Sequence, residues 1–245
     1  MGLVIPAVLP YSKKEFEEEL ALFSQISSVN RVQIDVVDGK FALPPTWPYN
    51  VSPEAAKGSQ TELEMMMQDG AMLPNLDRIE YEIDLMCFDP EQVAHSWIES
   101  GATRILFHAE SVSDVSKLLS SARKKFGANG FSSMISFGLA LNIESKLALI
   151  EQCLGEIDFV QFMGIAQIGK QGQPFDTRVL EKVRIFRERH PKIPLQIDGG
   201  ISFDTAKKLV ALGVSNLVIG SGILRATDPL EAFAVFENLE SPYGV

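Results

Sequence analysis

Thiols, basic charge and long apolar runs are all scarce in this chain. Its 245 residues contain two cysteines, Cys87 and Cys153. Neither lies in a CxxC spacing and both sit in apolar surroundings, so two buried free thiols in a reducing compartment are expected. Lys and Arg number 22 against 32 Asp and Glu, giving a net charge of −10. That balance argues against a nucleic-acid partner, which needs clustered cations to neutralise phosphate. It leaves room for a small anionic ligand, which needs only a local site. No apolar run is long enough to span a bilayer. The N-terminus lacks a basic region followed by a long apolar stretch. Met1-Gly2 opens like a myristoylation site, but Pro6 stands where Ser or Thr is required. A cytoplasmic location and no membrane partner are therefore expected.

What the chain does contain is ordinary core material, 46% hydrophobic and 22% charged, in a regular order. Strand-like runs at Leu3–Leu9, Arg31–Asp35, Ile79–Met86, Arg104–His108, Ser136–Leu141, Phe159–Met163, Leu195–Asp198 and Asn216–Ile219 alternate with helical spacing. Helices are predicted over Lys13–Ser27, Pro90–Ser100, Val112–Phe126, Ile143–Leu154, Thr177–His190, Asp204–Leu212 and Pro229–Leu239. Eight βα units in this length predict a single-domain (β/α)8 TIM barrel over residues 1–245, since parallel strands need helical crossovers. The rival is a doubly wound open sheet, whose dinucleotide-binding form is weakened because no GxGxxG follows the first strand. The segment at about 42–77 breaks the rhythm. It carries Pro44, Pro45 and Pro48, then a helix over about Gln60–Gln68 holding Met65, Met66 and Met67. This methionine run reads as a packing face, with a subunit interface or a cover over a site as the other uses of so adaptable a side chain.

Two strands end abruptly in glycine. Ile197-Asp198-Gly199-Gly200-Ile201 and Val218-Ile219-Gly220-Ser221-Gly222 each read as a buried strand stopping at a tight turn, where backbone N–H groups can approach a ligand closely. Adjacent turns of this kind would clamp a phosphate. Functional groups of such barrels gather at the C-terminal ends of the strands. There the chain offers Asp35, Asp38, Asp84, His108, Glu110 and Asp198. Converging carboxylates imply a cation, a shared proton, or side chains turned elsewhere. Two carboxylates on opposite sides of one carbon suit proton exchange beside a carbonyl.

Gln33-Ile34-Asp35-Val36-Val37-Asp38-Gly39-Lys40-Phe41 resembles the second-strand motif of ribulose-phosphate 3-epimerases. Asp84-Leu85-Met86, Phe107-His108-Ala109-Glu110, Gly172-Gln173-Pro174-Phe175 and the two glycine turns are similar to later segments of that family, in the same order. The resemblance implies an epimerase or isomerase acting on a phosphorylated ketose through an enediolate, with Asp35 and Asp198 as the acid/base pair. It implies Gly172, Gly199, Gly200, Gly220 and Ser221 as phosphate contacts, with Met86 and Met163 among the substrate contacts. The family's two metal-binding histidines correspond to Gln33 and Asp84, and a family serine to Ala7. The sixth loop, Gly164 to Gln171, departs from the family's run, and Lys170 is a candidate substrate contact on it. A set of Asp35, Asp84, Asp198 and the Gln33 amide oxygen is all oxygen and suits Mg²⁺ or Mn²⁺ rather than Zn²⁺. A metal-free pocket with one carboxylate kept protonated is the alternative. His95 and His190 fall on helices, and His108 is expected to serve packing. Two other activities stay open: aldol or decarboxylation chemistry on the same barrel, and sugar-phosphate binding without catalysis. The expected partners are a small phosphorylated sugar and a second copy of the chain in a homo-oligomer.

Overall fold

The computed structural model describes residues 4–49, 61–127 and 135–239. Eight parallel strands close into a barrel in sequence order, the first pairing with the last. They are β1 Val4–Val8, β2 Arg31–Val37, β3 Glu80–Met86, β4 Arg104–His108, β5 Ser136–Leu141, β6 Phe159–Met163, β7 Leu195–Asp198 and β8 Asn216–Ile219. Helices α1 Lys13–Ser24, α2 Glu62–Gln68, α3 Pro90–Glu99, α4 Val115–Gly127, α5 Ala148–Glu151, α6 Arg178–Arg189, α7 Phe203–Ala211, α8 Ser221–Leu224 and α9 Pro229–Glu237 follow the strands. The expected barrel is the one observed.

Alternation along the strands divides the buried residues into two sets. Val32, Ile34 and Val36, Tyr81, Ile83 and Leu85, and Ile105 and Phe107 belong to the large apolar core that also takes in Phe16, Leu20 and Phe23 of α1 and Val183 and Phe186 of α6. The residues between them fall in the lumen. There, small apolar groups such as Ile5, Ala7 and Val218, or Leu106, Ala140 and Phe159, are interleaved with buried Gln33, Glu82, Asp84, His108, Gln161 and Gln196. A parallel strand buried on both faces normally reads as continuously apolar. The polar residues at every second position of Glu80-Tyr81-Glu82-Ile83-Asp84 therefore mark a polar lumen.

Several element ends differ from expectation, each for a local reason. The predicted helix over 143–154 shrinks to α5 and a 3₁₀ turn at Leu154–Glu156. Lys182 Nζ donates to the carbonyls of Asn142 and Ser145, at 2.6 and 2.8 Å, and holds that stretch as a turn. Helix α4 starts later than predicted because Asp114 Oδ1 accepts the Lys117 N–H at 2.9 Å and caps it there. The four residues of α8 lie in a stretch read from the sequence as a turn. Strand β2 runs on to Val37, two residues past its predicted end.

In the segment between β2 and β3, Trp47 is buried, stacks on Phe16 at 4.5 Å and donates its indole N–H to Glu62 Oε2 at 2.7 Å. Thr61 and Glu64 form a capping box at the start of α2. The predicted start of that helix, Gln60, lies outside the described residues. Met66 and Met67 pack on the core while Met65 is exposed. Among the described residues of this segment past Thr61, none reaches the pocket at the barrel mouth.

Candidate active site

Strand register sets the site. Asp35 on β2 lies beside Asp84 on β3, and Asp198 on β7 lies between Met163 on β6 and Val218 on β8. One oxygen from each of the three aspartates lies within 4.8 Å of the others. All three are buried. Gln33 reaches up from the same strand as Asp35 and donates its amide N–H to Asp35 Oδ1 at 2.8 Å and to Asp198 Oδ2 at 3.4 Å. Its oxygen faces Gln196 instead, 3.5 Å from that Nε2. The expected amide-oxygen ligand is thus turned away from the carboxylates, because two acceptors so close together draw the donor end of the amide.

Above this cluster opens a pocket lined by Asp35, Met86, Met163, Gly172, Asp198, Gly199, Gly200, Gly220 and Ser221, together with Ala7, Lys170 and Gln171. Asp84 and Gln33 are not among its lining residues. Gly199 and Gly200 have φ of +103° and +68°. A Cβ on Gly200 would fall 2.6 Å from the Phe175 backbone, so only glycine lets the sixth loop dock there. Asp38 does not converge on the site. It fixes its own loop, accepting the N–H groups of Lys40, Phe41 and Phe88 at 2.7–2.9 Å. Glu110 accepts the Asn142 N–H at 2.8 Å.

His108 does more than pack. It is fully buried, and its Nε2 lies 3.0 Å from Asp84 Oδ1, close enough for an ion pair though not aligned as a hydrogen bond. Burial opposes a charged imidazole, but Asp84, Glu110 and Asp198 outweigh it and hold the pKa above its ordinary value. The carboxylates shift upward. Burial first, then Asp198 and Asp84, pushes Asp35 well above the carboxylate range, with Gln33 pulling the other way. Burial and Asp84 push Asp198 up to about 8, against Gln33 and His108. Groups poised this way can hold and release protons near neutrality.

A second polar layer, not among the residues expected from the strand ends, lies beneath. Gln161 Nε2 donates to Asp84 Oδ2 at 2.9 Å, and Gln196 Nε2 reaches Gln161 Oε1 at 2.7 Å and also Glu82 Oε1. Glu82 in turn accepts from Arg104 Nε at 2.6 Å. The layer's mark in the sequence is the period-2 placement of these residues within otherwise apolar strands.

Glu19 on α1 lines a second cleft beside the sixth loop. One of its oxygens is buried without a hydrogen-bond partner, and burial, then Glu15, pushes its pKa up to about 7. A carboxyl raised in the folded state costs stability as pH climbs from its unfolded value, near 4.5, through about 7. Glu19→Gln should therefore raise Tm at pH 8 by roughly 2–4 °C, equivalent to about 1 kcal/mol after allowance for solvent on its exposed side. At pH 4 the difference should vanish. Equal Tm differences at both pH values in a thermal melt would count against this.

Fold and site together define a (β/α)8 barrel with paired buried carboxylates at the mouth and a glycine-lined pocket beside them. The model of the Ribulose-phosphate 3 epimerase family matches residues 61–224, and the chain belongs to that family. It is 26% identical over 240 residues to a ribulose-phosphate 3-epimerase of Mycobacterium leprae, covering 96% of this chain and 94% of the relative. It is likewise 26% identical over 158 residues to that of Schizosaccharomyces pombe, there covering 64% of this chain and 65% of the relative, under two thirds of that protein's length. A solved structure of KGPDC from Streptococcus mutans shares the fold at 17% identity, with a TM-score of 0.65 over 96% of this chain and 95% of that one. No helix among the described residues is long and apolar enough to cross a membrane.

Proposed function

We propose that the protein epimerises a phosphorylated ketose of the ribulose 5-phosphate type, with Asp35 and Asp198 as the acid/base pair. The observation that carries this reading is their placement. They come from strands separated by two others around the barrel, face one pocket and have raised pKa values. One aspartate, ionised, removes the proton next to the ketose carbonyl. The other, protonated, returns a proton to the opposite face of the enediolate. The Gln33 N–H groups lie between the two and steady whichever carboxylate is charged. Gly172, Gly199, Gly200, Gly220 and Ser221 hold the phosphate through backbone N–H groups, and Met86 and Met163 flank the carbon chain.

The three aspartate oxygens fit a hard divalent cation of the Mg²⁺ or Mn²⁺ type. Asp84 Oδ1 is buried with no aligned donor, and among the described residues no imidazole joins the three-oxygen group, His108 Nε2 standing 3.0 Å from Asp84 Oδ1 as a neighbour rather than a fourth donor. Asp35, Asp84 and Asp198 would hold it, and it would supply polarisation of the ketose oxygens. The decisive measurement is incubation of D-ribulose 5-phosphate with the protein in ²H₂O, with and without Mg²⁺ or Mn²⁺. Deuterium should enter at C3 alongside xylulose 5-phosphate. Tight binding with no exchange under any of these conditions would favour the non-catalytic reading instead.

A further inference from the structure

All nine arginines of the chain fall among the described residues, and eight of them hold a carboxylate, hydroxyl or carbonyl partner. Arg225, just past α8, bonds Ser221 O through its backbone N–H at 3.2 Å, and its guanidinium, which lies in the field of Tyr11, has no carboxylate partner among the described residues. It is exposed, and its guanidinium is pressed against the sixth loop. A Cβ added to Gly172, whose φ is +78°, would fall 2.5 Å from Arg225 Nη1. Gly172 lines the active-site pocket, and Arg225 lines the cleft next to it. Gln171 lines both. Its Nε2 is buried without a hydrogen-bond partner and would fall 2.6 Å from a Cβ on Gly220, the residue at the second glycine turn. Leaving a buried amide N–H unused is costly, so such a group marks a place for an absent acceptor. Two donors free of acceptors thus stand at the pocket's edge, the Gln171 amide against the second glycine turn and the Arg225 guanidinium against Gly172 of the sixth loop. Glu15 and Glu19 line the outer cleft, but Glu15 accepts the Tyr11 N–H at 2.7 Å and neither pairs with Arg225.

We propose that Arg225 and Gln171 are anion ligands of the phosphate pocket, closing over the phosphate from the sixth-loop side while the glycine turns hold it from below. This rests on the phosphate reading above and adds to it a side-chain half of the clamp. The charge has a reason. Without these two side chains, backbone N–H groups and the exposed Lys170 at the pocket edge would hold a dianion on a protein of net charge −10. A guanidinium offers a forked, charge-assisted contact that lysine at the same place cannot reproduce.

Calorimetric titration with D-ribulose 5-phosphate and with inorganic phosphate tests it. Arg225→Ala should weaken both ligands about tenfold, and Gln171→Ala about three- to fivefold. Arg225→Lys should fall between wild type and Arg225→Ala. The dependence of affinity on salt should flatten in Arg225→Ala, since one cation fewer meets the anion. Wild-type affinity retained within twofold in Arg225→Ala, with or without a lower Tm, would overturn the assignment and give the arginine a purely structural place. Should the wild-type protein bind neither ligand, the phosphate reading itself falls, and this inference with it.

Discussion

Asp198→Asn is expected to lower C3 proton exchange in D-ribulose 5-phosphate by about 10²–10⁴-fold while leaving the barrel folded and more stable above neutral pH. The substitution keeps the shape of the side chain. An Asn oxygen can still accept from Gln33, and the backbone bond from Gly164 N to the Asp198 oxygen, 2.6 Å, is untouched. What disappears is the carboxyl that we propose takes up and releases a proton. The stability gain follows from linkage. Burial and Asp84 raise the folded pKa of Asp198 to about 8, above the unfolded value near 3.8. Ionising it therefore costs stability progressively as pH rises from about 4 to about 8, and Asn removes that cost. The gain in Tm should be several degrees at pH 8 and absent at pH 4. Deuterium exchange by NMR and thermal melts at the two pH values read both effects. Exchange within tenfold of wild type would remove Asp198 from the acid/base pair.

The fold and the upper half of this site could be read from the sequence because both depend on local pattern. Eight apolar runs with helical spacing between them define the barrel, and a strand that stops at Asp198-Gly199-Gly200 defines a pocket wall. Asp35 and Asp198 stand at strand ends, where side chains face the mouth. Asp38, three residues from Asp35, looked equivalent, yet it turns outward to hold the Phe88 N–H at 2.7 Å. Nothing in the spacing tells an open strand end from a loop anchor. The contact between His108 and Asp84 depends on the packing of neighbouring strands, and so does the direction of the Gln33 amide, which the field of two carboxylates decides. Partnerships across the lumen, such as Gln196 with Glu82 over 114 residues of chain, exist only once the barrel closes.

Arg104→Met should destabilise the protein by about 3–5 kcal/mol, the largest stability effect expected of a single change in the lumen. Glu82 is fully buried, and Arg104 Nε, 2.6 Å away, is the one cationic group bonded to it among the described residues. The guanidinium is itself capped by the Phe159 ring, 4.0 Å from its centroid. Taking away the cation leaves a carboxylate in low dielectric with only the Gln196 N–H for support. In acid, where the carboxylate can take a proton, the deficit should narrow. The double variant Glu82→Gln, Arg104→Met removes both charges, and exchange of a whole buried pair for neutral groups is commonly close to neutral. Here there is a further reason to expect recovery. Gln196 Oε1 is buried with no donor, and a new amide at position 82 can supply one. Urea unfolding of the wild type, the single and the double variant separates the cases: a double variant as unstable as the single one would mean that Arg104 contributes by packing on Phe159 instead of by charge. Deuterium exchange on the same variants reaches the chemistry, because Glu82 is joined through Gln196 and Gln161 to Asp84. If that chain of amides fixes Asp84 beside Asp35 and Asp198, the double variant keeps stability yet loses part of its exchange rate, and Gln161→Leu loses it more fully with Glu82 and Arg104 intact.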